Sequence, residues 1–280
     1  MPELPEVENV RENLDRLVRG KTIEDVTVLW DRLISHMTAN EFAANISGQT
    51  IQNVSRRGKY LVFHLSDWTL ISHLRMEGKY LLVKSGEKID SYTHIIFSLD
   101  SGQDLLYRDV RKFGRFELVR PEDVVAFFEQ KRLGPEPNED DFKMKTMQEQ
   151  LARRKKAIKS VLLDQQLVAG IGNIYADEIL FRARIHPQTP ANHLTQKQIV
   201  ALHDEIISVM SEAIKAGGTT IRSYKNAFGR EGSYQNKLLV YGKAGQSCPR
   251  CQSQILKIKV AGRGTHFCPV CQPQFDGKEG

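Results

Sequence analysis

Tyr60-Leu61-Val62-Phe63-His64-Leu65-Ser66-Asp67-Trp68-Thr69-Leu70-Ile71-Ser72-His73-Leu74 holds two apolar runs, Tyr60–Leu65 and Thr69–Leu74, separated by the polar pair Ser66-Asp67. Short runs rich in aromatic and aliphatic residues, bounded by turn formers, read as strands rather than helix. The same pattern extends on both sides, through Ile23–Leu29, Thr50–Val54, Gly78–Val83, His94–Leu99, Gln103–Arg108 and Arg115–Leu118. Ser85-Gly86 and Asp100-Ser101-Gly102 supply further turns. Eight short strands at hairpin spacing predict an antiparallel sandwich or a flattened barrel. Phe42–Ile46 reads as a short helix inserted among them. Ahead of them, Val7, Val10, Leu14, Leu17 and Val18 share one helical face, which ends near Gly20.

After Pro121 the period becomes helical. Gly134-Pro135-Glu136-Pro137 and Asn138-Glu139-Asp140-Asp141 read as a linker. Helices are predicted over Thr146–Leu151, Ala157–Asp164, Tyr175–Arg182, Thr195–Ala216 and near Thr219–Tyr224, with Thr195 as an N-cap and Gly217-Gly218 as a stop. Gly170-Ile171-Gly172-Asn173 makes a tight turn between two helices. Lys237–Cys271 alternates like β-structure, and from Gln272 the chain is polar and reads as a disordered tail.

With 280 residues, 40 % hydrophobic and 26 % charged, the composition is that of a globular chain of two domains with a small appendage. No run approaches a membrane span and no signal peptide opens the sequence, so a cytoplasmic protein without membrane attachment is expected. A net charge of +6 and a pI of about 9.1 point to a polyanionic partner only if the charge is clustered.

All four cysteines fall in Cys248-Pro249-Arg250-Cys251 and Cys268-Pro269-Val270-Cys271, with sixteen residues between the pairs. In a cytoplasmic chain this is the spacing of a four-thiolate zinc ribbon. Four protein ligands close the coordination sphere, so one structural Zn2+ is expected, with no organic cofactor. Metal binding then supplies much of the folding free energy of so short a region. Between the knuckles, Gly262-Arg263-Gly264 fits either a solvated hairpin turn or a tip that pushes a guanidinium into a partner.

The other basic clusters are Arg56-Arg57-Gly58-Lys59, Arg108 to Arg115, and Arg153-Arg154-Lys155-Lys156 with Lys159. Any one could be a solvated face, but together with a basic ribbon they suit a nucleic-acid groove that contacts phosphates. Met76 and Phe113 lie beside Arg75 and Arg111, as core residues or as wedges for a base stack. The opening Met1-Pro2-Glu3-Leu4-Pro5-Glu6-Val7-Glu8 also has two readings. It is a capped helix start that begins no earlier than Val7, with Pro5 and Glu6 leading in. Or, once Met1 is removed, Pro2 becomes a secondary amine able to form a Schiff base beside the carboxyl of Glu3.

These stretches meet a known family. The N-terminal Pro-Glu-Leu-Pro-Glu-Val-Glu resembles that of the bacterial formamidopyrimidine-DNA glycosylases, of the Fpg/Nei glycosylase/AP lyase group. So do Arg57-Gly58-Lys59-Tyr60-Leu61, His73-Leu74-Arg75-Met76, Asp109-Val110-Arg111-Lys112-Phe113-Gly114-Arg115 and Leu133-Gly134-Pro135-Glu136-Pro137. Ala157-Ile158-Lys159, Gly170 through Glu178, Gly217-Gly218-Thr219-Thr220, Val240-Tyr241-Gly242 and the ribbon with Gly262-Arg263-Gly264-Thr265 complete a collinear match from Pro2 to Cys271. The resemblance implies an α+β multidomain protein. Residues 1–132 would form an N-terminal β-sandwich catalytic domain with a leading helix, 133–145 a linker, 146–232 a helical domain with a helix–two-turn–helix motif, 237–272 a zinc-ribbon β-hairpin finger and 273–280 a flexible tail.

It further implies base-excision repair of oxidised purines in damaged double-stranded DNA by a monomeric enzyme. Pro2 would attack the sugar carbon that bears the lesion. Glu3 would act as acid and base, and Glu6 would hold the amine and its water network. Lys59 matches the proton donor of β-elimination, and Arg263 that of δ-elimination. The base must first leave the stack. Met76, Arg111 and Phe113 match the intercalating trio, in which the arginine meets the orphaned cytosine. Lys159 and Asn173 match phosphate-gripping residues, and Arg154 another DNA-contact position. Arg222, Ser223 and Tyr224 fall in the segment that closes over the flipped base, and Tyr241 would support the site.

The chain departs from the family where it reads Tyr92-Thr93-His94 instead of His-Asp-His, so Tyr92 would replace a histidine contact beside His94. Arg153-Arg154-Lys155-Lys156 replaces a more lysine-rich stretch, and Arg222 stands where some relatives have lysine. An endonuclease-VIII-type glycosylase for oxidised pyrimidines is a competing reading, but that group typically has Gly where this chain has Leu4. A non-catalytic zinc-ribbon DNA-binding protein would not need Pro2, Glu3, Glu6 and Lys59 together.

Overall fold

The computed structural model describes residues 1–219 and 232–274. They fall in two compact units, Met1–Lys131 with Gly217–Gly232, and Arg132–Ala216 with Ser233–Gly280.

Helix α1 (Leu4–Val18) leads the first unit and starts three residues ahead of the expected Val7. Pro5 does not prevent this, because the N–H groups of a first turn have no intrahelical acceptor and its ring presets the helical φ. Glu3 is the N-cap, and Glu6 Oε2 accepts the Glu3 N–H at 2.8 Å. Val7, Val10, Leu14 and Val18 line the buried face. The helix is fixed to the neighbouring strand by polar links as well. Asp15 Oδ1 accepts the Val54 N–H at 2.8 Å, and Glu8 pairs with Arg56 at 2.7 Å. Burial pushes the Glu8 carboxyl up, but hydrogen bonds and charges from Arg11 and Arg56 outweigh it and hold it below the ordinary value.

The eight strands form two antiparallel sheets. One has the order β1 (Ile23–Val28), β6 (Thr93–Leu99), β7 (Gln103–Arg108), β5 (Lys79–Lys84). The other has β2 (Asn53–Arg57), β3 (Tyr60–His64), β4 (Thr69–His73), β8 (Arg115–Val119). One core lies between them, filled by Val26, Ile95, Phe97 and Leu105 from the first sheet and Val54, Leu61, Phe63 and Leu70 from the second. Edge-to-face rings run through it. Tyr80 and Tyr107 lie 5.3 Å apart, Tyr107 and Phe116 4.7 Å, and Phe116 and Phe42 6.3 Å.

Two boundaries move for local reasons. The expected Thr50–Val54 strand becomes β2, because Thr50 makes only an isolated bridge to Thr22 and the ladder begins at Asn53 opposite His64. Helix α2 (Ala39–Ile46) begins ahead of Phe42, because Thr38 Oγ1 accepts the Glu41 N–H while Glu41 accepts the Thr38 N–H. Helix α3 (Val124–Gln130) follows the second sheet.

In the second unit α4 (Met144–Ala152), α5 (Ile158–Leu163), α6 (Asn173–Arg182) and α7 (Gln196–Lys215) precede the hairpin β9 (Leu256–Val260) and β10 (Arg263–Phe267). Thr195 caps α7 as its sequence predicts. Residues 134–142, expected as a linker, are packed into this unit. The Gly134 N–H donates to Gln165 O, the Ala169 N–H to Pro135 O, and the buried Phe142 stacks on His203 at 5.1 Å. Gln272 opens no free tail. It is 1 % exposed, accepts the Cys268 N–H and donates to Ile185 O at 2.8 Å. Of the helix expected over 219–224, only Thr219 lies among the described residues.

The ring stack sets a testable constraint. A Cβ on Gly78 or Gly114 would overlap the hydroxyl of the fully buried Tyr107. Gly114→Ala should lower stability by about 1–3 kcal/mol, read as a shifted urea midpoint with an unchanged slope.

Candidate functional site

The start of α1 buries Pro2, Glu3 and Glu6 together. Glu6 uses both carboxylate oxygens. Oε2 takes the Glu3 N–H, and Oε1 takes the Thr219 N–H at 2.7 Å and the Thr219 hydroxyl at 3.0 Å. A Cβ on Gly218 would stand 2.6 Å from Glu6 Oε1, at a φ of +77°, so the approach needs glycine. Lys59 is buried in the two-residue turn that joins β2 to β3, where Arg57 pairs with Tyr60. Helix α1 packs on both strands. A secondary amine at Pro2, when free, would therefore emerge beside buried carboxylates, in surroundings that strengthen charge–charge interactions.

The loop after β7 presents Arg111 and Phe113 because of Asp109. This buried carboxylate accepts the N–H groups of Arg111 at 3.0 Å, Phe113 at 2.8 Å and Gly114 at 2.8 Å. Those bonds bend the chain through Lys112, at a φ of 57°. Fixing the backbone this way leaves the side chains outside. Phe113 is 46 % exposed, with the Arg111 guanidinium 4.7 Å over its ring. The Lys112 ammonium lies 4.0 Å over Trp30.

A second turn presents Met76, which is 36 % exposed. The Arg75 N–H donates to His73 Nδ1 at 2.9 Å, with Arg75 at a φ of 54°. Burial, then the charges of Arg75 and Lys59, push His73 down to about 3. The ring is thus neutral near pH 7, as an accepting nitrogen requires. Met76 and Phe113 thus stand exposed on hydrogen-bonded turns and are not part of the core.

Tyr92 is 45 % exposed, and its carbonyl accepts the Asp109 N–H. His94 does not share that exposure. It is buried, with Nε2 2.8 Å from the Asp109 carbonyl oxygen, because its strand turns it inward to support the Arg111 loop.

Lys159 is likewise not a surface cation. It is 0 % exposed, with Nζ 2.5 Å from Asp177 Oδ1 and 2.8 Å from Thr265 Oγ1. A buried ammonium needs such a partner, and Asp177 on α6 provides it. Asn173, first residue of α6, donates through Nδ2 to Gly264 O at 3.0 Å. Arg154 is half-buried and pairs with Asp164 at 2.8 Å. Tyr241 sits with its N–H on Glu178 Oε1, and its ring is 5.1 Å from His266. Arg263 is exposed beside the hairpin tip, where residues 261 and 262 both have positive φ. Arg222, Ser223 and Tyr224 lie outside the described residues.

Sequence reasoning assigned no role to Asp109, His73, Asp177 or Glu178. The signal for Asp109 was available, since an aspartate opening a Val-Arg-Lys-Phe-Gly stretch is a turn former. Asp177 and Glu178 sit amid helical apolar residues, and nothing nearby in the chain names their distant partners.

The four cysteine sulfurs lie within 4.8 Å of one another, with Cys248–Cys271 at 3.8 Å and Cys251–Cys268 at 3.4 Å. A tetrahedral Zn–S distance of about 2.3 Å implies sulfurs about 3.8 Å apart, so this donor set fits one structural zinc. The Arg250 N–H donates to Cys248 Sγ and the Cys271 N–H to Cys268 Sγ, as expected of ligands that carry negative charge. The knuckle is packed onto α6 by Phe181, Val240 and Ile255, with the Arg250 guanidinium 4.6 Å over Phe181.

An antiparallel sandwich with carboxylates buried beside Pro2, exposed apolar side chains on fixed turns, and a four-cysteine ribbon suit a zinc-containing enzyme that acts on nucleic acid. Family models match in chain order: the formamidopyrimidine-DNA glycosylase N-terminal domain over 1–116, its H2TH domain over 133–225, and a zinc finger found in FPG and IleRS over 245–274. Formamidopyrimidine-DNA glycosylase from Bacillus licheniformis is 51 % identical over 264 residues, 94 % of this chain and 96 % of that one. The Streptococcus mutans protein of the same name is 52 % identical over 263 residues, again 94 % and 96 %. Among solved structures, a variant of Lactococcus lactis FPG with a Fapy-dG containing DNA superposes with a TM-score of 0.94 at 47 % identity, covering 98 % of this chain and 100 % of that one. L. lactis Fpg with an abasic site containing DNA gives a TM-score of 0.93 at 47 % identity, with 97 % and 100 % covered. The chain belongs to the formamidopyrimidine-DNA glycosylase family.

Two measurements probe the site's construction. Asp109→Ala leaves three N–H groups without their acceptor and should weaken binding to lesion-containing duplex by about tenfold or more, while DNA-independent stability falls by about 1–3 kcal/mol. Cys248→Ser should lose the zinc, by metal analysis, and DNA affinity with it; normal binding by the metal-free protein would make the ribbon dispensable.

Proposed function

We propose that this chain is a bifunctional DNA glycosylase and AP lyase that removes oxidised purines, 8-oxoguanine and formamidopyrimidines, from duplex DNA. The observation that carries this reading is the burial of Pro2 with Glu3 and Glu6, in a protein of this family whose wedge residues are exposed. A protein that only binds DNA has no use for carboxylates buried around its N-terminal amine.

The chemistry begins once Met1 is gone, because the nitrogen of an internal proline is an amide and not a nucleophile. The freed Pro2 amine attacks C1′, and the bond from C1′ to the damaged base breaks, with Glu3 delivering a proton as the base departs and the sugar ring opens. The resulting iminium is cationic without needing a proton, so it draws electrons from the sugar. Loss of a C2′ proton breaks the C3′–O bond and expels the 3′ phosphate. Loss of the C4′ proton then breaks the C5′–O bond and expels the 5′ phosphate, leaving a one-nucleotide gap. Glu6 keeps the amine and the start of α1 in place. Lys59 serves the first elimination and Arg263 the second, as proton donors or as cations facing phosphate.

Met76, Arg111 and Phe113 fill the gap left by the flipped base, and Arg111 offers its planar fork of donors to the orphaned base. Asn173, Arg154, Tyr241 and Tyr92 serve the DNA backbone. His94 and Lys159 act from within the protein. Functionally the chain divides at 1–132, 146–232 and 237–272. It works as a monomer in the cytoplasm, and no described helix is long and apolar enough to cross a membrane.

Borohydride should trap a covalent adduct between the processed protein and duplex DNA that contains 8-oxoguanine. Pro2→Gly should lose most of that adduct, and Glu3→Gln should bind DNA but excise no base. An undiminished adduct from Pro2→Gly would remove the amine from its role. Stronger trapping on thymine glycol would favour an oxidised-pyrimidine enzyme.

A further inference from the structure

Lys159, Asp177, Thr265 and Asn173 form one buried polar cluster whose far end is the backbone of Arg263. Asp177 Oδ1 takes the Lys159 ammonium, and Asp177 Oδ2 takes the His266 N–H at 2.8 Å, with His266 Nδ1 at 3.2 Å. Lys159 Nζ then donates to Thr265 Oγ1 at 2.8 Å and reaches Gly264 O at 3.4 Å. The Thr265 hydroxyl donates to Arg263 O at 3.1 Å. Asp177, Lys159 and Thr265 are all buried. A two-stranded ribbon is weakly held by its own ladder, and here its tip needs a particular rotation to aim one exposed guanidinium. The cluster grips three consecutive residues after Arg263 and ties them to α5 and α6.

We propose that Asp177 and Thr265 are positioning residues for Arg263, acting through Lys159 to set where the Arg263 guanidinium stands during the second elimination. This rests on the Schiff-base reading above. Both residues are buried. The bond affected is C5′–O, which breaks as the C4′ proton leaves and the C4′=C5′ bond forms, the 5′ phosphate taking the electron pair beside Arg263. A misplaced guanidinium slows that departure and leaves the earlier C1′–base and C3′–O cleavages to the other groups.

Thr265→Val keeps the shape and loses the hydroxyl, Thr265→Ser restores it, and Asp177→Asn removes the charge that holds Lys159. With 5′-labelled duplex containing 8-oxoguanine, the 3′-phosphate product of β,δ-elimination separates from the unsaturated-aldehyde product of β-elimination alone. Thr265→Val and Asp177→Asn should each lower the ratio of the first to the second by about tenfold, with Thr265→Ser near the wild type and zinc content unchanged. An unchanged ratio in Thr265→Val, or an equal fall in both products, would overturn the proposal. Should Asp177→Asn fail to fold, the Thr265 pair decides alone. Absence of a borohydride adduct from the wild type would instead bring down the Schiff-base reading, and this one with it.

Discussion

Glu6 is held at two places at once. One oxygen closes the first turn of α1 by taking the Glu3 N–H, and the other takes the backbone and side chain of Thr219. The first bond lets a helix start at Leu4 although the next residue is proline, and so brings Pro2 to rest among buried groups. The second joins the start of the chain to a segment more than two hundred residues further on. A buried carboxylate left without donors would be costly, so these hydrogen bonds are a condition of the arrangement. The place of Pro2 and the turns that expose Met76 and Phe113 both rest on the sandwich that α1 completes.

The same device recurs at other turns of the chain. Asp109 gathers the amides beneath Arg111 and Phe113. Glu178 takes the N–H groups of Leu239, Val240 and Tyr241, and burial keeps its carboxyl above the ordinary value although those three bonds lower it. Asp177 holds the ribbon through one amide, the His266 N–H, together with the Lys159 ammonium. A carboxylate that accepts several amides fixes a turn without using a side chain of that turn, which leaves Arg111, Phe113 and Arg263 free to meet a ligand.

Much of this was legible in the sequence, because the signals were local. Alternation over Tyr60–Leu74 gave strands where β3 and β4 lie, Thr195 gave its cap, and the cysteine spacing gave a ribbon whose sulfurs fit zinc. The motif residues were legible through resemblance, whereas their burial was not. Lys159 looks like a surface cation in its basic stretch and His94 like a DNA contact, and only the positions of Asp177 and the Asp109 carbonyl, 18 and 15 residues away, turn them inward. Gln272 read as the start of a tail for the same reason, since Ile185 lies 87 residues before it. Polar burial is decided by long-range partners, and hydrophobic periodicity carries no trace of them.

The hairpin tip carries one unresolved tension. Ala261 holds a φ of 49°, a left-handed conformation that glycine or asparagine adopts at little cost and alanine does not. The turn beside Arg263 therefore stores about 1–2 kcal/mol that a single residue change could release. Arg263 follows that turn directly, so evolution could retune its reach at residue 261 without disturbing zinc, Asp177 or the sandwich.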